Sequence, residues 1–245
     1  MQPYPNPLII GHRGAAGEAP ENTLASFLLA VQQGAHAVEL DIDLTKDGEI
    51  IVIHDDTLDR TTTGKGFISE LTLKEIKQYD AGIWYDERFE GEKVPTLEEV
   101  FDKLPASTII NIEVKGNAEQ LEERLANLLV RWNRVESVFL SSFRHKKLAK
   151  MKQLLPEIRV GLGYTADVVD HIEFAKLFGN GLYSLHPHYQ LIGLNEIRQA
   201  VDYGLHVYPY TVNEIADMQI LLQAGASGII TDYPGRMHQL LQQCK

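Results

Sequence analysis

The stretch Ala37-Val38-Glu39-Leu40-Asp41-Ile42-Asp43-Leu44-Thr45-Lys46-Asp47-Gly48-Glu49-Ile50-Ile51-Val52-Ile53-His54-Asp55 reads as two extended segments around a turn. In Ala37–Leu44, Val38, Leu40, Ile42 and Leu44 alternate with Glu39, Asp41 and Asp43, the period-two pattern of a strand with one face in a core. The link 45–49 is too short for a parallel crossover, which takes about a dozen residues or more. Asp47-Gly48 is instead a two-residue hairpin signal. Ile50–His54 is therefore expected to return antiparallel, with Lys46 opposite Glu49 and Asp41 opposite His54. Directly opposed residues share a face, so Glu39, Asp41 and His54 are expected to converge near one strand end.

The rest of the chain alternates strand and helix patterns. Further strands are expected at Leu8–Gly14, Thr108–Lys115, Ser137–Phe143, Arg159–Tyr164, Gly181–Pro187, Leu205–Val212 and Gly228–Asp232. Apolar residues at helical spacing lie between them, as in Leu121, Leu125, Leu128 and Trp132. Thr96 with Glu99 forms a capping-box pattern, and Asn213 is read as a helix N-cap. Such alternation implies a mostly parallel sheet covered by helices. Setting aside the antiparallel ribbon leaves eight strands, the number of a (β/α)8 TIM-type barrel. The expected layout is one barrel domain over 1–245. Residues 55–95 form an insertion subdomain after the second barrel strand, above the C-terminal face where barrel active sites lie. Within it, Ile83, Trp84, Tyr85 and Phe89 are read mainly as the insertion's own core.

Length and charge narrow the partners. The 245 residues carry a formal charge of −11, which argues against nucleic acid and against an anionic membrane surface. No window approaches the ~18 apolar residues of a membrane span. The start, Met1–Ile10, lacks the positive charge of a secretory signal, and the single Cys244 allows no internal disulfide. A cytoplasmic location is expected.

The inward parity recurs. Asn111, Glu113 and Lys115 share one face of their strand, and Leu8–Gly14 ends in His12-Arg13. Three neighbouring strands thus finish in ionisable residues. Clustered like charges repel unless neutralised, and the simplest neutraliser of Glu39, Asp41 and Glu113 is a divalent cation. All-carboxylate oxygen ligands suit Mg²⁺, Ca²⁺ or Mn²⁺ better than Zn²⁺. His12 and His54 read as an acid/base pair, with Arg13 and Lys115 as fixed positive charge. Such a set suits phosphoryl chemistry.

These residues resemble a known family. His12-Arg13-Gly14, Pro20-Glu21-Asn22-Thr23, Glu39-Leu40-Asp41, Thr45-x-Asp47-Gly48, His54-Asp55 and Ile112-Glu113-Val114-Lys115 look like the glycerophosphodiester phosphodiesterases. Arg60-Thr61-Thr62, Pro95-Thr96-Leu97-Glu98-Glu99 and Thr231-Asp232-x-Pro234 extend the likeness to nearly the whole chain. The resemblance implies a (β/α)8 barrel that hydrolyses glycerophosphodiesters, such as glycerophosphocholine or glycerophosphoethanolamine, to sn-glycerol 3-phosphate and an alcohol with one divalent cation. It implies metal ligands at Glu39, Asp41 and Glu113, a catalytic pair at His12 and His54, and phosphate contacts from Arg13 and Lys115. Family members often carry a tryptophan where this chain has Tyr208-Pro209-Tyr210, so Tyr210 is a candidate substrate contact, as is His186 at another strand end. A non-catalytic phosphate-binding barrel and a lysophospholipase-D-like enzyme are the alternatives.

Overall fold

The computed structural model describes residues 7–243; Cys244 and the first six residues lie outside them. In chain order the elements are β1 (Leu8–Gly11), α1 (Leu24–Gln32), β2 (Ala37–Leu44), β3 (Ile50–Val52), α2 (Leu73–Ile76) and α3 (Leu97–Lys103). There follow β4 (Ile109–Val114), α4 (Leu121–Arg131), β5 (Val138–Ser142), α5 (His145–Leu154), β6 (Arg159–Tyr164) and α6 (His171–Lys176). The last are β7 (Ser184–Pro187), α7 (Leu194–Asp202), β8 (His206–Val207), α8 (Ile215–Gln223), β9 (Gly228–Thr231) and α9 (Pro234–Gln243).

Eight strands are parallel, in the order β8-β7-β6-β5-β4-β2-β1-β9, and β3 pairs with β2, antiparallel. The ladder between β8 and β9 is incomplete. Backbone bonds from Ser227 N to Val207 O (3.0 Å), Ile230 N to Pro209 O (3.1 Å) and Val212 N to Ile230 O (3.0 Å) span that seam. The result is the nearly closed (β/α)8 barrel that the strand count implies.

Strand parity sorts the core into two layers. Val38, Leu40, Ile42 and Leu44 pack outward with Ile110, Ile112 and Val114 under the helices. Inward residues change character along the barrel axis. Leu8, Ile10, Ala37, Ile109, Phe139, Tyr208 and Ile230 form an apolar plug inside the barrel. Above it, toward the C-terminal ends, stand Glu39, Asp41, Asn111 and Glu113. The apolar plug removes area from water at about 25 cal/mol per Å² and leaves the charged residues at the open end.

The hairpin differs from expectation by one residue. Ile42 pairs with Val52, Asp43 with Ile51 and Leu44 with Ile50, so Asp41 faces Ile53, whose N–H donates to Asp41 O at 2.9 Å. A two-residue type I′ turn needs φ above zero at both central positions, and only Gly48 (φ 85°) has it. The loop therefore has three residues, Lys46-Asp47-Gly48. Thr45 Oγ1 donates to Asp47 (2.6 Å) and accepts from Glu49 N (2.9 Å). A one-residue slip exchanges faces, so Ile51 and Ile53 turn to a separate apolar cluster with Leu58, Ile68, Ile76, Ala81 and Val94. The aromatic group expected at that core is elsewhere. Ile83 and Trp84 are each 38% exposed, and Trp84, Tyr85 and Phe89 touch edge to face on the surface.

β8 is also shorter than the sequence pattern suggests. Leu205–Val212 keeps only two ladder residues, because Pro209 has no N–H to offer a neighbouring strand. The capping box at Thr96 and Glu99 is present. Asn213 is not a cap: the N-cap of α8 is Glu214, and Asn213 is committed to Asp232 instead.

Candidate active site

The end of β1 begins the site. Arg13 (φ 52°) and Asn22 (φ 57°) both occupy the left-handed region, which costs about 1–3 kcal/mol for each non-glycine residue. Local bonds hold them there: Asn22 N and Ser26 Oγ both donate to Arg13 O, at 3.1 and 2.9 Å. This turn aims Arg13 N at Glu39 Oε2, 2.9 Å away. It also places Asn22 Nδ2 2.9 Å from Asp41 Oδ2.

Glu39, Asp41 and Glu113 then converge, each with an oxygen within 4.8 Å of the others. Register explains it, since Asp41 lies beside Glu113 across parallel strands and Glu39 is two residues earlier on the same face. Arg13 Nε stands 3.3 Å from Asp41, and Lys115 Nζ is 3.4 Å from Asp41 and 3.1 Å from Glu113. Burial, then the charge of Asp41, pushes Glu39 up to about 8. The same two causes raise Glu113. Burial also works against Asp41, but Arg13 and Lys115 outweigh it and hold its carboxyl below the ordinary value. One carboxylate is thus stabilised by cations while its two neighbours resist ionising beside it. That imbalance, with three hard oxygen donors in reach of one point, fits a divalent cation.

Two imidazoles flank the cluster. His12 Nδ1 donates to Asp232 Oδ1 at 2.7 Å, and His54 Nδ1 donates to Asp55 Oδ1 at 2.6 Å. An ionised carboxylate only accepts, so each aspartate fixes its partner's tautomer and leaves Nε2 free. Burial alone would lower His12, but the bond to Asp232 and the charge of Glu39 leave it raised. For His54 burial prevails over Asp41 and Asp55, and its pKa is lowered.

The lining of one pocket of about 180 Å³ includes His12, Arg13, Glu39, His54, Glu113 and Lys115. Asp41 sits behind this wall, 1% exposed. Phe143 and Tyr210 form one side, and Asn111, Ser141, His186 and Ile230 also line the pocket. Tyr210 OH donates to Tyr164 O at 3.0 Å and meets Thr165 Oγ1 at 2.7 Å, which fixes its ring beside Phe143. His54 reaches the pocket although the hairpin register would face it away, because β3 ends at Val52 and the chain turns. The other described histidines do not line it. His36 accepts from Ile9 N, for example, and His145 donates to Gly163 O.

Several members of the site carried motif signals but no assigned role. Asp232 and Asp55 orient the histidines. Arg60 donates to Asp55 at 2.7 and 3.0 Å and to Glu21 at 2.8 Å twice, and Glu21 accepts from Arg13 at 2.7 Å. Glu21, Asn22, Asp55, Arg60 and Asp232 all stand in the short ordered motifs quoted above, and that was the available signal. Ile83, Trp84, Tyr85 and Phe89 do not line the pocket.

Comparison with known proteins gives the family and the fold. Residues 12–236 match the Glycerophosphoryl diester phosphodiesterase family. A glycerophosphodiester phosphodiesterase of Caldanaerobacter subterraneus subsp. tengcongensis is 40% identical over 240 residues, covering 96% of this chain and 98% of that protein. One of Bacillus subtilis is 35% identical, covering 95% and 86%. Among solved structures, an Oleispira antarctica phosphodiesterase in complex with the product sn-glycerol-3-phosphate superposes with a TM-score of 0.87 at 33% identity, covering 97% of both chains.

Proposed function

Because the chain belongs to the glycerophosphoryl diester phosphodiesterase family, we propose that it hydrolyses glycerophosphodiesters to sn-glycerol 3-phosphate and an alcohol. Glycerophosphocholine and glycerophosphoethanolamine are the substrates we expect. The observation that carries this reading is the meeting of three carboxylates within 4.8 Å and two aspartate-backed imidazoles in one pocket. A phosphate-binding barrel without catalysis has no use for two oriented imidazoles.

Glu39, Asp41 and Glu113 would hold Mg²⁺, Ca²⁺ or Mn²⁺. When bound, such a cation supplies positive charge toward phosphoryl and alkoxide oxygens. Arg13 and Lys115 add fixed charge at the pocket wall, where a diester anion gains from it. His54, neutral near pH 7, accepts the proton of the attacking oxygen, whether that of water or of the glycerol 2-hydroxyl. His12, held protonated by Asp232, donates to the departing alkoxide. Environments that push two titratable groups apart in pKa mark out the base and the acid. Tyr210 and His186 contact the bound substrate from the side and from below. We also read 55–95 as a subdomain of the single barrel domain, which brings Asp55 and Arg60 to the pocket rim.

Incubation with glycerophosphocholine should release glycerol 3-phosphate and choline, stop with EDTA and resume with Mg²⁺ or Ca²⁺. Release that EDTA leaves unchanged, or no release from any glycerophosphodiester, would reject the reading.

A further inference from the structure

Asn111 lies inside the barrel on β4, beside Glu39 on β2 and Phe139 on β5. It is 0% exposed and lines the pocket. Among the described residues it alone has both side-chain polar atoms, Oδ1 and Nδ2, buried without a hydrogen-bond partner in the chain. An amide left unpaired in a protein interior is costly and is found where something else completes it.

Its surroundings say what would complete it. Arg13, Lys115 and Glu113 stand nearer the open end; Glu39 lies level with Asn111, but its Oε2 accepts from Arg13 N, and the residue on the other side of Asn111, Phe139, is apolar. His186 is held by Ser184 Oγ at 2.9 Å and fills the space left by Gly161, where a Cβ would stand 2.4 Å from His186 Nε2. Burial pushes that imidazole down to about 3, so it carries no charge near neutrality. Below lies the apolar plug of Phe139, Tyr208 and Ile230. An amide offers a donor and an acceptor together. A neutral hydroxyl satisfies both, and a charged oxygen only the donor.

We propose that Asn111 is a specificity-determining residue whose amide receives a hydroxyl of the polyol half of the ligand, with the phosphoryl group held at the charged rim above. The inference rests on the functional reading given above. It gives the pocket two chemically distinct halves, so that phosphate esters lacking hydroxyls satisfy only one.

Calorimetric titration in the presence of Mg²⁺ separates the halves by comparing glycerol 3-phosphate with methyl phosphate. Wild-type protein should favour glycerol 3-phosphate by about tenfold or more, since a site built to bond a hydroxyl discriminates strongly against a ligand without one. In Asn111→Leu that preference should fall to near parity while the Kd for methyl phosphate moves less than about threefold. Thermal unfolding without ligand should be unchanged or slightly higher, because the replacement removes an unpaired buried amide. Asn111→Ala carries the same expectation for the Kd ratio should the larger side chain prevent folding. A preference retained in the variants, or an equal loss for both ligands with a lower melting temperature, would overturn the inference. Wild-type protein that releases no glycerol 3-phosphate from glycerophosphocholine would overturn the functional reading instead, and the Kd ratio would still decide the role of Asn111.

Discussion

His12 and His54 each hand Nδ1 to an aspartate, at 2.7 and 2.6 Å, yet the two aspartates are backed by different chemistry. Asp232 accepts from the neutral amide of Asn213 at 2.7 Å. Asp55 accepts from the guanidinium of Arg60 at 2.7 and 3.0 Å. The charge of Asp232 is thus left to favour an imidazolium, reinforced by Glu39, while that of Asp55 is largely answered by Arg60. Asp55 is accordingly held far below the ordinary carboxylate range, first by its bonds to Arg60. Similar His–Asp geometry yields one imidazole that keeps its proton and one that gives it up. Distance alone does not set the pKa of a histidine: burial, with Arg13 and Lys115, lowers His54, whereas against its own burial His12 is raised by Asp232 and Glu39.

The largest effect should come from removing either imidazole. His12→Ala and His54→Ala should each lower turnover of glycerophosphocholine by about 10²–10⁴-fold with unchanged melting temperature, as steady-state choline release and thermal unfolding would show. Next comes Asp232→Asn, which removes the charge that supports the His12 proton. It should cost about 10–100-fold, as outer partners of catalytic groups do, and move the alkaline limb of the pH–rate profile to lower pH. An unmoved limb would mean that Asp232 only positions the ring.

The metal-free protein should show the carboxylate imbalance as stability. Glu39 is raised to about 8 in the native state, from an ordinary 4.5. Such a group contributes stability that is present in full below the unfolded value and is lost as pH rises through the folded one. His12, raised above 6.5, acts in the same sense. His54 and His186 are lowered and act oppositely, but their contribution is complete once pH passes 6.5. In EDTA the melting temperature should therefore fall between about pH 7 and 8.5. Mg²⁺ should flatten that slope, and Glu39→Gln should remove most of it. The smallest effect is expected from Arg60→Ala, which makes the His54 pair resemble the His12 pair. Arg60 is 44% exposed, and exposed ion pairs contribute on the order of 1 kcal/mol or less, so turnover should fall about fivefold at most. The acid limb should shift upward as Asp55 regains its influence on His54.

Much of this was legible in the chain, and the exceptions have physical reasons. The alternation in Ala37–Leu44 named both the strand and its charged face, because period two survives any register. The hairpin register differs by one residue from the pattern because Asp47-Gly48 serves equally in a three-residue loop, where only the glycine is left-handed. His54 still reaches the pocket, by a chain reversal after Val52 that no local pattern announces. The pairing of His12 with Asp232 spans 220 positions and exists only once β9 lies beside β1. Asn111 was visible as an inward residue, but its lack of partners is a property of packing and not of sequence.

Which imidazole carries the proton is tested by the leaving group. The 4-nitrophenyl ester of glycerol 3-phosphate departs without protonation, so it needs the base but not the acid. His12→Ala should recover most of the wild-type rate on this ester, and His54→Ala should remain slow. Recovery in His54→Ala with none in His12→Ala would reverse the roles, and recovery in neither would contradict acid catalysis by His12.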